Sequence, residues 1–141
     1  VGVSFGISAK SVHPDKNVVV ISGDGAFLSG GLSIEAAFQE AKPITIVIDN
    51  NGGLDCISQQ QERLFANGKH FATDFRDIPF HTMCEGLGGH GELVEHRSKL
   101  APALRRAMAS NKVAVVNVKC RGVISPIVAA TSDKRDKASI E

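Results

Sequence analysis

Three short runs of β-branched residues punctuate the chain: Asn17–Ser22 (NVVVIS), Ile44–Ile48 (ITIVI) and Val113–Val118 (VAVVNV). Continuous apolar runs of this length, bounded by turn residues, are the mark of strands covered on both faces of a sheet. Leu93-Val94 adds a shorter candidate. Between the runs the apolar spacing lengthens to that of helices. Val1–Lys10 reads as a helix of small and apolar residues. His13-Pro14-Asp15 is a turn, since Pro restricts the residue before it. Leu32–Lys42 is expected to be helical, with Leu32, Ala36 and Phe38–Gln39 on one face and Pro43 as its stop. Ile34 and Ala37 blur that stripe. Leu54–Phe65 carries a weaker helical pattern, Ala66–Asp77 is polar and irregular, and Ile78–Leu87 is again helical. Ser98–Ser110 places Leu100, Leu104 and Met108 at i, i+4 and i+8. Pro102 falls near its first turn, where a missing N–H matters least.

Strands alternating with helices imply an α/β fold: a doubly wound parallel sheet with right-handed crossovers and helices on both faces. Such sheets bind ligands in the loops at the carboxyl ends of their strands. Two Gly-rich loops, Gly23–Gly31 and Asp49–Gly53, are expected at such ends. Beyond Gly122 the chain turns polar and charged, ending TSDKRDKASIE. The expected organisation is therefore one domain over residues 1–122 and a tail over 123–141. In the tail, Val123, Ile124, Ile127 and Val128 form a small apolar patch, while Asp133–Lys137 is fit only for solvent.

Composition narrows the partners. With 141 residues there is room for one core, and 43% apolar with 22% charged residues is ordinary for a globular protein. A net charge of +1 supplies no field that would draw nucleic acid or an anionic membrane. No apolar run approaches the roughly 20 residues of a membrane span. Trp and Tyr are absent, which leaves little aromatic surface for base stacking. Cys56, Cys84 and Cys120 lie far apart, with no CxxC or Cys/His metal spacing, so a reducing cytoplasm is the expected setting. The opening residues lack the charged start and long apolar stretch of a secretory leader, and Val1 reads as an internal starting point.

The loops carry the chemistry. Glycines at a strand-to-helix turn let backbone N–H groups approach a phosphate. In Gly23-Asp24-Gly25-Ala26 the carboxylate would repel that phosphate unless a cation lay between them. A phosphate-binding GDG loop therefore implies a divalent metal. Asn50 and Asn51 in the second loop offer neutral oxygen ligands suited to Mg²⁺ or Ca²⁺. One Asp, one Asn and one backbone carbonyl would leave three of six Mg²⁺ positions, which a diphosphate and a water could fill. A dinucleotide fingerprint fails because Leu28 stands where its third glycine belongs. No Gly-Lys-Ser/Thr, HExxH, GxSxG or EF-hand pattern occurs. The plainer reading of both loops is a pair of Gly-rich turns in some other α/β domain.

The stretch from Gly23 to Gly53 resembles the thiamine-diphosphate signature: GDG, a helix, a buried strand, then NN. Asp24 and Asn51 stand 27 positions apart, which fits that family's metal ligands. The resemblance implies the Gly53 carbonyl as the third ligand. It also implies cofactor contacts from Gly23, Asp24, Gly25, Ala26, Asn51, Gly53, Leu54 and Asp55, with thiamine diphosphate and Mg²⁺ as cofactors. It covers roughly residues 1–120, since GLGGHGELVEHRSKLAPALRRAMASNKVAVVNV is similar to the closing strand–helix–strand of the acetolactate-synthase-like branch. LDCISQQQERLF sits where acetolactate synthases carry a pattern like LGMVRQWQELF. Gln59 and Gln61 match it, while Cys56 replaces a Met and Gln60 a Trp. Oxalyl-CoA decarboxylases and 2-hydroxyacyl-CoA lyases share NNGG and a GGxG segment and remain open. So do a stand-alone cofactor-binding subunit and a structural domain without cofactor.

The remaining candidates have plainer readings. Asp49 could be a further carboxylate near the metal, but a cap on the following segment is the preferred reading. Asp55 could orient the loop or serve as a helix-start carboxylate. His90 reads as a solvent-facing turn histidine rather than a catalytic one. The other histidines show no spacing of a ligand set. Cys56 reads as a small buried side chain, and Arg105-Arg106 as the wet face of a helix.

The resemblance further implies an activating Glu on a separate pyrimidine-binding domain of the same or another chain. It implies a site assembled between subunits of a homodimer or homotetramer, and a small 2-keto acid or acyl-CoA substrate. None of the seven glutamates here matches that Glu, so no catalytic residue is expected in this chain. The purified chain alone should therefore not decarboxylate pyruvate or other 2-keto acids. An acid–base group within hydrogen-bond reach contributes about 100- to 10,000-fold. Turnover by the chain free of host enzyme would contradict this.

Overall fold

The structure, a computed structural model, describes residues 2–65, 68–124, 126 and 129. The chain divides into two compact units. The first takes Val1–Asn51 and Asp77–Cys120, and the second takes Gly52–Arg76 with the described residues after Cys120.

The first unit is built on four parallel strands: β1 (Val19–Gly23), β2 (Thr45–Asn50), β3 (His90–Val94) and β4 (Ala114–Lys119). Their order across the sheet is β1-β2-β4-β3. The alternation of side chains along β2 and β4 divides the core in two. Ile44, Ile46, Ile48, Val113 and Val115 face one way, together with Val20 of β1. Onto that face pack Val3 of helix α1 (Gly2–Val12), then Phe27, Ile34 and Ala37 of the β1–β2 crossover, then Phe80 and Cys84 of the helix Phe80–Gly86. Ala114 and Val116 face the other way, against Ala103 and Ala107 of the helix Arg97–Ala109. Helices on both faces of an all-parallel sheet are the expected architecture.

The β1–β2 crossover departs from the sequence reading. Gly23–Gly31 is not an open loop. Helix α2 (Asp24–Gly30) begins on the residue after β1, a 3₁₀ turn covers Gly31–Ser33, and α3 (Ile34–Gln39) follows. The 3₁₀ turn resets the helical phase. Ile34 and Ala37 become the fully buried positions and Leu32 is left 77% exposed, the reverse of the expected stripe. Phe27 anchors the crossover by packing edge-on against Phe80, with ring centroids 5.5 Å apart. Such a pair contributes roughly 0.5–1.5 kcal/mol beyond its buried area. A Cβ at Gly31 would lie 2.7 Å from the Phe27 ring, so the turn needs a glycine there.

Two further expectations change. β1 is covered on one face only, because Ile21 is 78% exposed while Val20 is buried. Nothing among the described residues covers the second face of this edge strand. The helix Arg97–Ala109, numbered α6 in chain order after α4 (Asp55–Leu64) and α5 (Phe80–Gly86), begins early enough to put Pro102 at its sixth position. That is inside the helix and removes one i→i−4 bond. Its buried face runs through Ala103 and Ala107 with Leu100 and Leu104 alongside, and Met108 lies at the wet margin.

In the second unit α4 carries Asp55 in its first turn. The segment before it pairs with the loop after it: Leu54 N–H donates to Thr73 O at 2.8 Å and Phe75 N–H to Gly52 O at 2.8 Å. Phe65 and Phe71 stack edge-on at 5.6 Å. Val123 and Ile124 are exposed, and the Val123 carbonyl accepts a bond from Gln59 Nε2 at 2.7 Å. The rest of the expected apolar patch, at 127 and 128, and the charged end lie outside the described residues.

The end of α3 yields a testable consequence. Ala41 has φ +48°, with its N–H donating to Phe38 O and the Lys42 N–H to Ala37 O. This is a Schellman closure with alanine in the left-handed position that glycine favours. Ala41→Gly is expected to stabilise the protein by about 0.5–1 kcal/mol, read as a higher denaturation midpoint at unchanged slope. A lower midpoint would contradict it.

Candidate functional site

The parallel register brings three strand ends level. Gly23 pairs with Asp49, Asp49 with Val118, and Asn50 with Lys119. At this edge of the sheet α2 starts with Asp24, which is only 3% exposed. Its Oδ1 accepts the Gly25 N–H at 2.7 Å, which fixes the carboxylate's orientation. Gly25 is buried and Ala26 exposed. Phe27, three residues on, holds this turn to the core.

The second strand end is tied more elaborately. Asn50 Nδ2 donates to Asn117 Oδ1 at 2.9 Å, and its carbonyl accepts the Cys120 N–H at 2.9 Å. Asn50 thus belongs to the strand and the core rather than to a loop. Asn51 then leaves the sheet. Its Oδ1 is buried with no hydrogen-bond partner among the described residues. A buried amide oxygen left unmatched costs about 1–3 kcal/mol.

Cys120 marks the third strand end. It is exposed as a residue, yet desolvation of its thiol, then its hydrogen bond to the Asp49 carboxylate, push its pKa up to about 11. The carboxylate of Asp24 adds to the effect. Asp49 and Asp24 therefore both act on one sulfur, and Asp49 bonds to that thiol. The expected capping role fails: α4 has Leu54 at its N-cap and no side-chain cap. Cys120 itself stays a neutral thiol at physiological pH.

The remaining predicted contacts lie in the second unit. Gly52 has φ +84°. Gly53 bridges Asp74 in antiparallel fashion, and a Cβ at Gly53 would lie 2.4 Å from Thr73 O, so only glycine fits. Leu54 is exposed. Asp55 sits in the first turn of α4 and accepts a bond from Gln59 Nε2 at 2.9 Å, as a helix-start carboxylate does. Cys56 is half-buried.

Some residues acquire roles that the sequence did not announce. His90 opens β3 and is bonded to Glu92 Oε1 at 2.9 Å, not placed in a solvent-facing turn. Arg106 clamps the same carboxylate with two bonds, at 2.8 and 2.7 Å. The Arg106 guanidinium, helped by His90, holds the Glu92 carboxyl below its usual range. This cluster is structural. The Asn50–Asn117 pair was missed outright. Its only signal was a polar residue inside the apolar run VAVVNV.

The arrangement suits a cation of one kind. Among the described residues no group of three or more His, Cys, Asp or Glu side chains is placed to hold a metal. A cation beside the Asp24 carboxylate and the orphaned Asn51 oxygen would meet one charged ligand and neutral oxygens. That donor set is the habit of Mg²⁺, which takes one or two carboxylates and completes its shell with phosphate and water. Asp24 and Asn51 fit such an ion, and they stand where α2 begins after β1 and where the chain leaves β2 in a parallel α/β sheet, the place at which domains of this class take up ligands.

The comparisons with known proteins make this specific. Residues 1–118 match the family model described as the thiamine pyrophosphate enzyme, C-terminal TPP binding domain. The chain belongs to this family. It is 36% identical to the acetolactate synthase large subunit of Mycobacterium tuberculosis over 118 residues, 83% of this chain and 21% of that protein. It is 30% identical to the 2-hydroxyacyl-CoA lyase of Arabidopsis thaliana over 138 residues, 95% of this chain and 23% of that protein. The thiamine diphosphate-dependent 4-hydroxybenzoylformate decarboxylase of Rhodococcus jostii superposes with a TM-score of 0.78 at 26% identity, covering 88% of this chain and 23% of that one. The chain thus spans about a fifth of the length of the relatives it matches. No helix among the described residues is long and apolar enough to cross a membrane.

In the second unit, His70 is held between Glu62 Oε1 at 2.6 Å and Asp74 Oδ1 at 3.2 Å. The Glu62 hydrogen bond, then that of Asp74, raises the His70 pKa above its ordinary 6.5. A raised histidine contributes stability that is complete below the unfolded value and is lost as pH rises through the folded one. Protection of the Leu54 and Phe75 amides against exchange, corrected for intrinsic rates, should therefore fall as pH is raised from about 6 through the raised pKa. His70→Gln should show no such step. Protection independent of pH in the parent chain would contradict the clamp.

Proposed function

We propose that this chain holds thiamine diphosphate and Mg²⁺ for an acetolactate-synthase-like enzyme that decarboxylates or carboligates 2-keto acids. The observation that carries the reading is the buried Oδ1 of Asn51, without a partner among the described residues, just past the end of β2, which pairs with the β1 end where Asp24 begins α2. Asp24 supplies the one anionic ligand and Asn51 a neutral one. The Gly53 carbonyl, two residues along the chain, is the third. Backbone groups at Gly23, Gly25, Ala26 and Leu54, with Asp55, complete the contacts to the cofactor. When bound, the cofactor would supply nucleophilic carbon chemistry toward the carbonyl of a 2-keto acid or acyl compound. The chain's own part is to bind and orient: Asp24 and Asn51 would hold a cation whose charge offsets that of the diphosphate, and Phe27 and Asn50 hold those two side chains to the core.

The chain has no glutamate matched to activation of the cofactor, so a pyrimidine-binding domain of the same or another chain completes the site, in a homodimer or homotetramer. A reducing cytoplasm suits its three free cysteines. The domain proper spans residues 1–122, and of the tail only the segment 123–130 docks over the mouth of the assembled site, while the charged end stays outside. One observation favours a second reading. Similarity to 2-hydroxyacyl-CoA lyases runs over 138 residues, past β4, whereas similarity to acetolactate synthases covers 118. An acyl-CoA substrate is therefore the alternative, and assays of the complete enzyme with pyruvate against 2-hydroxyacyl-CoA separate the two.

Asp24→Ala should abolish Mg²⁺-dependent binding of thiamine diphosphate in the complete enzyme while leaving the fold intact. Calorimetric titration with cofactor and Mg²⁺ measures it, with circular dichroism as the check on folding. Undiminished affinity would sink the assignment.

A further inference from the structure

The core-facing row of β2 runs Ile44, Ile46, Ile48 and ends in Asn50, and the neighbouring row of β4 runs Val113, Val115 and ends in Asn117. Two apolar rows thus terminate in a polar pair that is nearly as buried as the rows themselves: Asn50 is 5% exposed and Asn117 0%. Asn50 Nδ2 donates to Asn117 Oδ1 at 2.9 Å. Asn117 Nδ2 faces the Ile78 carbonyl and His81 Nδ1, both at 3.4 Å. These last contacts are long and therefore weak.

Stability alone does not call for asparagines here. Exchanging both partners of a buried hydrogen bond for apolar groups of similar shape is often close to neutral. What the pair provides is direction. An isoleucine at 50 would be held by dispersion forces, which tolerate small rotations and shifts. Asn50 is instead fixed at two points, its side chain by Asn117 and its carbonyl by the Cys120 N–H at 2.9 Å. One tether lies on β4 and the other on the residue that follows it, so the last residue of β2 is locked to the neighbouring chain just before it leaves the sheet. The next residue is Asn51, whose Oδ1 is buried and has no partner among the described residues. Its aim depends on the peptide plane that Asn50 presents.

We propose that Asn117 is a positioning residue for the cation site: through Asn50 it sets the direction in which Asn51 leaves the strand and so presents its oxygen to Mg²⁺. The proposal rests on the reading of Asn51 as a cation ligand. Asn117 itself touches neither cation nor diphosphate in this scheme. Groups that orient a metal ligand from behind typically alter metal affinity by about 10- to 100-fold when replaced.

The test uses the complete enzyme, titrated calorimetrically with Mg²⁺ at fixed thiamine diphosphate, with the melting temperature of each variant measured alongside. Three variants are compared: Asn117→Leu, Asn117→Asp and the double variant Asn50→Leu/Asn117→Leu. Asn117→Leu strands a buried amide on Asn50 and should weaken apparent Mg²⁺ affinity at least about 10-fold. The double variant removes that stranded amide, so its melting temperature should return toward that of the parent while its affinity stays low. Asn117→Asp retains an acceptor for Asn50 and should recover most of the affinity. Affinity that merely follows melting temperature across the three variants overturns the proposal, because the pair would then be structural only. Parent-like affinity in the double variant overturns it as well. If Asn51→Ala leaves the Mg²⁺ affinity of the parent unchanged, the reading of the site fails first, and the proposal with it.

Discussion

The parallel register of β1, β2 and β4 is the constraint on which the site depends. It sets Gly23, Asp49 and Val118 side by side, so the chain leaves the sheet three times at one level. Inside a parallel sheet every backbone group is matched by a neighbouring strand. At the carboxyl ends that matching stops, and the loops are free to present polar groups to a ligand. One slipped residue would turn the row Ile44–Ile48 toward solvent and bring Asp49 into the core. The buried row therefore enforces the alignment that the ligands need.

Rigidity at these ends comes from packing and from a few directed bonds. Phe27 against Phe80 holds the turn that carries Asp24. Asn50 against Asn117 holds the strand end before Asn51. Negative charge gathers at the same edge, where desolvation of the Cys120 thiol, then Asp49 and Asp24, push its pKa up to about 11. An edge of this kind accepts a cation readily and a bare phosphate poorly. Away from it, the Glu92–Arg106–His90 cluster ties β3 to α6 and has no part in the site.

Family membership and the partial length of the match belong together. The chain corresponds to the cofactor-holding portion of much longer enzymes. On the proposed reading, the activating acid comes from elsewhere and this portion has only to bind firmly and hold orientation. Its conspicuous chemistry is accordingly oxygen ligands and glycine turns, not nucleophiles or perturbed acids.

Much of this was legible in the residues themselves. β-branched runs announced β2 and β4, because a strand buried on both faces must be apolar at every position. The GDG and NN motifs pointed to the candidate site, because a carboxylate among glycines at one strand end and an asparagine pair at another offer oxygen ligands to a cation. The helix Asp24–Gly30 was not legible, since its glycines argue for a loop until Phe27 is seen packed on Phe80. Nor was the phase of α3, which the 3₁₀ turn at Gly31–Ser33 resets. The open face of β1 also escaped notice, because Val19 and Ile21 look the same in sequence whether or not a helix covers them. What the sequence by itself determined is the alternation of strand and helix and the identity of the candidate ligands, both of which depend on residue type and spacing. Only the tertiary structure decided that Asn117 meets Asn50 across 67 residues of chain and that Asn51 keeps a buried oxygen unmatched. Those facts depend on which strand lies beside which, and strand order is set by how helices cover the sheet, not by any local pattern.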